Sequence, residues 1–210
     1  MTNTMTNTLM LREELCSAAN YFHDRGWMWG TGGNLSARIS DDRYWVTASG
    51  KSKGTLTPLD FIDMNLDGTW EPARKGDKPS AETSIHQAIY SLFPDIQACY
   101  HVHSIEANLV SNFTQQDSIA LPPLEMVKGL GIWEENPTCM MPLFENHLNV
   151  PTIAKNIKEY YSETKPKIPA LLIRNHGVTV WGQSTEQARN TVELVEYIFR
   201  YMVLARQTVG

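Results

Sequence analysis

Short β-prone runs alternate along this chain with two kinds of connection, tight turns and helices, and that alternation limits the folds open to it. Residues 35–39 and 44–48 are divided by little more than the turn-forming pair Asp41-Asp42, as hairpin strands are, and a third run at 61–66 ends on Asp67-Gly68. Helical stripes intervene elsewhere. Leu11, Leu15, Ala18, Ala19 and Phe22 recur on one face of residues 11–25, with Gly26 as the stop. A second helix runs to about Phe93 from Ser80 or Thr83, either of which can cap it, and 74–79 reads as an exposed loop. Further helices are predicted at 105–112, from Pro151 to Tyr161, and at 185–205, with strands at 96–100, 170–173 and 178–181 between them. Hairpin-like and helix-separated strands therefore interleave, which predicts an α/β fold of three layers, α/β/α, around a mainly antiparallel central sheet.

Composition narrows the function classes. At 210 residues, 42% hydrophobic and 20% charged, the chain is long enough to bury a substantial core, and no Ser/Gly/Pro-rich linker divides it. One domain over residues 1–210 is expected, with 1–9 as a flexible start. A net charge of −5 without a Lys/Arg-rich stripe argues against nucleic acid as the main partner, although a local backbone site can still hold a small anion. Cys16, Cys99 and Cys139 are odd in number and scattered, which points to a reducing cytoplasm and not to a disulfide framework. Neither a signal-peptide pattern at the start nor an apolar run of about 18 residues is present, so no membrane association is expected.

Chemistry concentrates in His101-Val102-His103, where the mostly apolar run 96–100 stops. Two imidazoles at i and i+2 project to the same side of an extended segment and can converge on one divalent ion. His176, in Arg174-Asn175-His176-Gly177, is the third candidate. Three protein ligands leave a coordination position open, as a catalytic metal requires, whereas a structural zinc is normally closed by four. The competing reading is that these are ordinary core or surface histidines. Gly30, Gly32 and Gly33 form a second feature: such a turn can aim several N–H groups at one phosphate, or can be a plain glycine turn. Asn34 and Ser36 follow it, Ser49-Gly50 and Ser80-Ala81 supply further hydroxyls and small residues, and Lys51 and Lys53 are nearby cations that solvent alone can account for. His86, four residues beyond Glu82 on one helix face, can support the site from behind that carboxylate, but a structural role is the first reading.

Taken in series, Gly30-Thr31-Gly32-Gly33-Asn34-Leu35-Ser36, Thr47-Ala48-Ser49-Gly50, Pro79-Ser80-Ala81-Glu82, His101-Val102-His103 and Asn175-His176-Gly177 resemble the class II aldolase and adducin family. Within it, Leu124-Glu125-Met126-Val127-Lys128-Gly129 and residues 174–182 look like the branch that removes water from 5-methylthioribulose 1-phosphate in methionine salvage. The resemblance implies one Zn2+ per subunit on His101, His103 and His176, and a homotetramer with active sites at or near subunit interfaces. It also implies a phosphate cradle from Gly33, Asn34, Ser49, Gly50 and Ser80 for a phosphorylated ketose. Two carboxylates compete for proton transfer: Glu125, in the segment specific to the dehydratase branch, is assigned as general acid/base, and Glu82, where the family's aldolases place their catalytic glutamate, as metal ligand, orienting group or second acid. Trp27, Met28 and Trp29 are candidates to receive a methylthio group, with core packing as the equal alternative. An aldolase or epimerase acting on another sugar phosphate would use the same metal and cradle, and a non-catalytic, adducin-like interaction module would need neither.

Overall fold

The computed structural model describes residues 2–208, with side chains from residue 9 onward. Its nine strands are β1 (Asn34–Arg38), β2 (Arg43–Thr47), β3 (Phe61–Asn65), β4 (Trp70–Pro72), β5 (Ala98–Val102), β6 (Ser118–Leu121), β7 (Cys139–Phe144), β8 (Ala170–Ile173) and β9 (Gly177–Gly182). They join in one sheet in the order β4-β3-β2-β1-β5-β9-β8-β7-β6. Every pairing is antiparallel except β7 with β8, which the chain links through a helix.

Period-two alternation sorts the strand residues between two apolar layers. Leu35 and Ala37 of β1, Ala98, Tyr100 and Val102 of β5, Ala170 and Leu172 of β8, and Val178 and Val180 of β9 face one cluster. Cys99, Leu171, Ile173 and Trp181 face the other. Helices α1 (Thr2–Asp24), α3 (Ile105–Ser111) and α5 (Thr185–Thr208) cover the first face, through Leu15, Phe22, Val110, Val195 and Phe199 among others. The second is covered by α2 (Thr83–Leu92) and α4 (Val150–Glu163), through Ile85, Ile89, Ile153 and Ile157. A large apolar side chain contributes about 1.5–3 kcal/mol when fully buried, so these faces, more than helix propensity, hold the outer layers on the sheet. The three-layer α/β/α arrangement with a mainly antiparallel sheet is the one the sequence predicts.

Several boundaries differ from the sequence reading. Helix α1 starts at Thr2; the flexible start expected at 1–9 falls on Met1, which lies outside the described residues, and largely on residues described by backbone alone. Helix α2 begins at Thr83 with Glu82 at the capping position and no side-chain cap, whereas Ser80 accepts the Glu82 N–H at 3.3 Å. Strand β4 has no counterpart among the predicted strands; its Pro72 is tolerated at the sheet edge, where one side of the backbone needs no partner. Strand β5 continues to Val102, so His101 lies inside the sheet and not beyond its end.

Candidate active site

Strand β5 delivers His101 on the face of the sheet that carries α2, two residues after Cys99, and the chain turns out of the sheet at His103. His176 arrives from the β8–β9 turn. That turn is fixed by Arg174, whose guanidinium donates to the carbonyls of Ser111 (2.6 Å), Thr114 (2.9 Å) and Gln116 (3.1 Å) at the end of α3 and just beyond. Asn175 adopts a left-handed conformation, φ 51°, and its N–H donates to the Ser111 hydroxyl at 3.0 Å. Gly177 then has to be glycine, because a Cβ there would lie 2.1 Å from the Val102 carbonyl oxygen. The Arg-Asn-His-Gly sequence is thus a device for bringing His176 beside β5.

The result is a convergent cluster. The Nε2 atoms of His101 and His103 are 2.8 Å apart, those of His101 and His176 are 3.4 Å apart, and Glu82 Oε1 lies 2.8 Å from His176 Nε2 and 3.5 Å from His103 Nε2. One ligand atom from each of the four residues falls within 4.8 Å of all the others. His101 Nδ1 lies 2.9 Å from the Thr179 hydroxyl on β9. With Nδ1–H donated there, Nε2 keeps its lone pair aimed at the cluster centre, the tautomer a metal ligand needs. Burial lowers His101 well below the usual imidazole range, so it is neutral and available as a ligand. For Glu82 burial acts to raise the carboxyl, but hydrogen bonds with His103 and His176 outweigh it and hold the group well below the usual carboxylate range. Three imidazole nitrogens and one carboxylate, at this spacing, suit a divalent transition metal.

Beside the cluster lies a cavity of about 260 Å³ lined by Thr31, Gly32, Gly33, Asn34, Thr47, Ala48, Ser49, Gly50, Lys53, Ser80, Ala81 and Glu82, with Val150. All five residues expected to cradle a phosphate therefore share one wall system, and Glu82 joins it to the metal cluster. Two loops are tied to make it: Ala48 bridges to Pro79, and the Ser49 N–H donates to the Lys78 carbonyl at 2.9 Å. Gly33 has φ +75° and packs so closely that a Cβ would sit 2.8 Å from the His101 carbonyl oxygen. A side chain at that position would disturb the cavity and the metal cluster together.

Asn34 behaves differently from the other four. Its amide donates to Glu82 Oε2, and its carbonyl oxygen is bonded to His86 Nε2. His86 Nδ1 in turn lies 2.7 Å from the Ser36 hydroxyl, which is 2.8 Å from the Tyr90 hydroxyl. Since Asn34 donates to the carboxylate, its oxygen accepts from His86 Nε2–H, which leaves His86 Nδ1 an acceptor; the one Ser36 proton is divided between that nitrogen and the Cys99 carbonyl, 3.1 Å away. The Asn34 side chain is thus committed to Glu82, and His86, fully buried and lowered to about 4 by burial, stands one residue behind the cluster. A supporting place for His86 was the second of its two sequence readings, but its links to Asn34, Ser36 and Tyr90 carry no sequence signal, and neither does the burial of Lys53, which is 2% exposed although solvent sufficed to explain it in the sequence.

Glu125 is not brought to this site. It opens a short 3-10 helix, Glu125–Leu130, whose Val127 and Leu130 pack into the apolar cluster on the α1/α3/α5 side, across the sheet from α2. Its side chain is 81% exposed and paired with Lys128 at 2.8 Å. The three methylthio candidates are scattered as well. Met28 is fully buried in the core, Trp29 is 65% exposed, and Trp27 lines a separate cavity under α5 with Arg25, Met126, Glu196 and Arg200. Among the described residues no helix is long and apolar enough to cross a membrane, and Cys16, Cys99 and Cys139 are free thiols.

Comparison with known proteins places this architecture. Residues 13–203 match the model of the Class II Aldolase and Adducin N-terminal domain. A methylthioribulose-1-phosphate dehydratase of Microcystis aeruginosa is 59% identical over 197 residues, covering 93% of this chain and 96% of the relative. A protein of the same name from Leptospira biflexa is 46% identical over 198 residues, covering 90% and 95%. Among solved structures, YgbL from Klebsiella pneumoniae superposes with a TM-score of 0.80 at 26% identity, covering 94% of this chain and 90% of its own. With a family match over nearly its whole length and the family's histidines converging in space, the chain belongs to the class II aldolase and adducin family.

Proposed function

We propose that this chain is a hydro-lyase that removes water from 5-methylthioribulose 1-phosphate, giving 2,3-diketo-5-methylthiopentyl 1-phosphate, a step of methionine salvage. The observation that carries the reading is the 59% identity, over 93% of this chain, to a methylthioribulose-1-phosphate dehydratase, in a chain whose histidine cluster adjoins a glycine-lined cavity. His101, His103 and His176 would hold one Zn2+ per subunit, and the ion would supply Lewis-acid polarisation of the ketone oxygen. Gly33, Ser49, Gly50 and Ser80, with the backbone at Asn34, form the phosphate cradle, which fixes the phosphorylated end so that the ketone faces the cluster. Glu82, with Oε1 among the imidazoles and Oε2 on Asn34, orients the site or completes the ligand set.

Dehydration needs a base for the proton on the carbon beside the ketone and an acid for the departing hydroxyl. A carboxylate that moves the proton both ways contributes roughly 10²–10⁴-fold. We assign this to Glu125. Because its segment lies across the sheet from α2, Glu125 reaches a metal cluster from a neighbouring copy, within a homotetramer whose sites lie at subunit contacts. Free thiols fit a reducing cytoplasm as the location, and one domain carries the whole activity.

Incubation of the metal-loaded protein with 5-methylthioribulose 1-phosphate, followed by mass spectrometry, tests the assignment. Loss of one water is expected. Cleavage into two smaller fragments would replace the dehydratase with an aldolase, and an unchanged substrate would leave a binding module.

A further inference from the structure

Two lysines follow the Ser49-Gly50 loop, and their surroundings are opposite; of the two, Lys53 lines the glycine-lined cavity. Lys51 sits between two carboxylates, 2.8 Å from Asp77 and 3.4 Å from Asp60. Lys53, at the start of a short 3-10 turn, is 2% exposed, and among the described residues it forms no ion pair. Its ammonium donates to two carbonyl oxygens, Thr31 at 2.7 Å and Lys51 at 2.9 Å. An ammonium has three N–H donors, so one remains, and the residue lines the cavity wall. Burial lowers Lys53 to about 8, countered in part by Glu82, so the group keeps its charge near neutral pH in a place that disfavours charge. Burying a cation against carbonyls alone is unfavourable, and a fold that only needed to join Thr31 to Lys51 would do so with a neutral donor. Away from Glu82 at its metal-cluster end, the wall is suited to an anion: the Gly32-Gly33 turn, the Ser49-Gly50 loop and Ser80.

We propose that Lys53 is a substrate-binding residue whose ammonium pairs with the phosphate of the phosphorylated ketose, held in position by Thr31 and Lys51. This assignment rests on the reading of the substrate as a phosphate ester, and it adds a formal cation to a cradle otherwise made of backbone and hydroxyl groups. Charge-assisted hydrogen bonds are roughly twice as strong as neutral ones, so the charge at Lys53 decides how tightly a phosphate dianion is held.

The test titrates inorganic phosphate into the metal-loaded protein by calorimetry, for wild type, Lys53→Met and Lys53→Gln, with melting temperature and metal content measured alongside. Both variants are expected to bind phosphate at least about 10-fold more weakly than wild type. Both should retain the metal; Lys53→Gln, whose amide can still donate to the Thr31 and Lys51 carbonyls, should melt near wild type, whereas Lys53→Met removes that donor and should melt lower. With the phosphoketose, KM should rise by a similar factor and kcat should change less. Phosphate affinity preserved in Lys53→Gln would overturn the proposal and leave the amine as a tie between two carbonyls. Should neither variant fold, nitrogen-15 spectra of the wild-type lysine side chains decide: the Lys53 signal moves on adding phosphate, or the proposal falls. Lys53-dependent phosphate binding in a protein that does not dehydrate the phosphoketose would refute the dehydratase reading and leave this one standing.

Discussion

The histidine cluster and the Glu125 segment are the two places where catalysis is assigned, and they are built in contrasting ways. His101 lies inside a central strand with its neutral tautomer set from β9, and His176 is fixed by an arginine that spans three carbonyls. Glu125 sits on a surface turn with its carboxylate in water beside Lys128. A group that must meet a metal at a fixed distance is held by paired backbone and buried hydrogen bonds. A group that must gain and lose a proton can be carried on an exposed turn, provided another surface closes over it during the reaction. Under the proposed assignment, metal binding would belong to each folded chain, whereas turnover would need a second copy to bring Glu125 to the cluster.

The sharpest test of that separation is a pair of substitutions. His103→Ala should lose bound metal and lower turnover by about 10²-fold or more, read by elemental analysis and by product formation. Glu125→Gln should lower turnover by about 10²–10⁴-fold while metal content stays at the wild-type level. Mixing the two inactive variants should then restore part of the activity, because a mixed oligomer pairs an intact cluster on one copy with an intact Glu125 on its neighbour. Near-normal turnover by Glu125→Gln alone would break the comparison.

Thr179→Val probes the cluster more gently. Without the hydroxyl 2.9 Å from His101 Nδ1, the ring loses its fixed tautomer, and metal affinity should fall about 10–100-fold in a chelator competition while the fold is kept.

A smaller effect is expected at Glu196, on the opposite side of the sheet. It is 2% exposed, and neither oxygen makes a hydrogen bond of ordinary geometry. Burial pushes its carboxyl up from 4.5 to about 8, against a smaller lowering by the Ser104 hydroxyl. Between those two values the folded chain binds a proton that the unfolded chain lacks, so stability is full below pH 4.5 and declines as pH rises to about 8. Glu196→Gln should therefore raise the melting temperature by at least about 3 °C at pH 8, and by little at pH 4.5.

The sequence was most legible where the signal is local. An i, i+2 histidine pair after an apolar run, a glycine turn before a strand and an Asn-His-Gly turn each carry their meaning within a few residues, and all of them meet in the structure. The layers and the antiparallel sheet followed from turn and helix spacing. What could not be read depends on distant packing. His101 is buried because β1 and β9 flank β5, which no property of residues 96–103 reveals. The Asn34–His86–Ser36 chain requires α2 to lie over β1 in one register. Lys53 looks like any loop lysine until the Thr31 carbonyl is brought to it. Glu125 was identified by its neighbours in sequence, and those neighbours say nothing about which surface it meets.

The lone parallel pairing, β7 with β8, has a kinetic consequence. A hairpin closes over a few residues, but β8 reaches β7 only across the α4 crossover, and β9 reaches β5 across a separation of 78 residues at His101 and Thr179. Loop-closure entropy predicts that the β1–β2–β3 meander forms early and the closure that brings His176 to His101 late, an order that folding rates of variants in the two regions would check. Contacts made late add little to the rate of folding and much to the barrier against unfolding. A metal ion bridging those histidines would act chiefly as a latch, lengthening the lifetime of the folded chain while leaving its speed of assembly nearly unchanged.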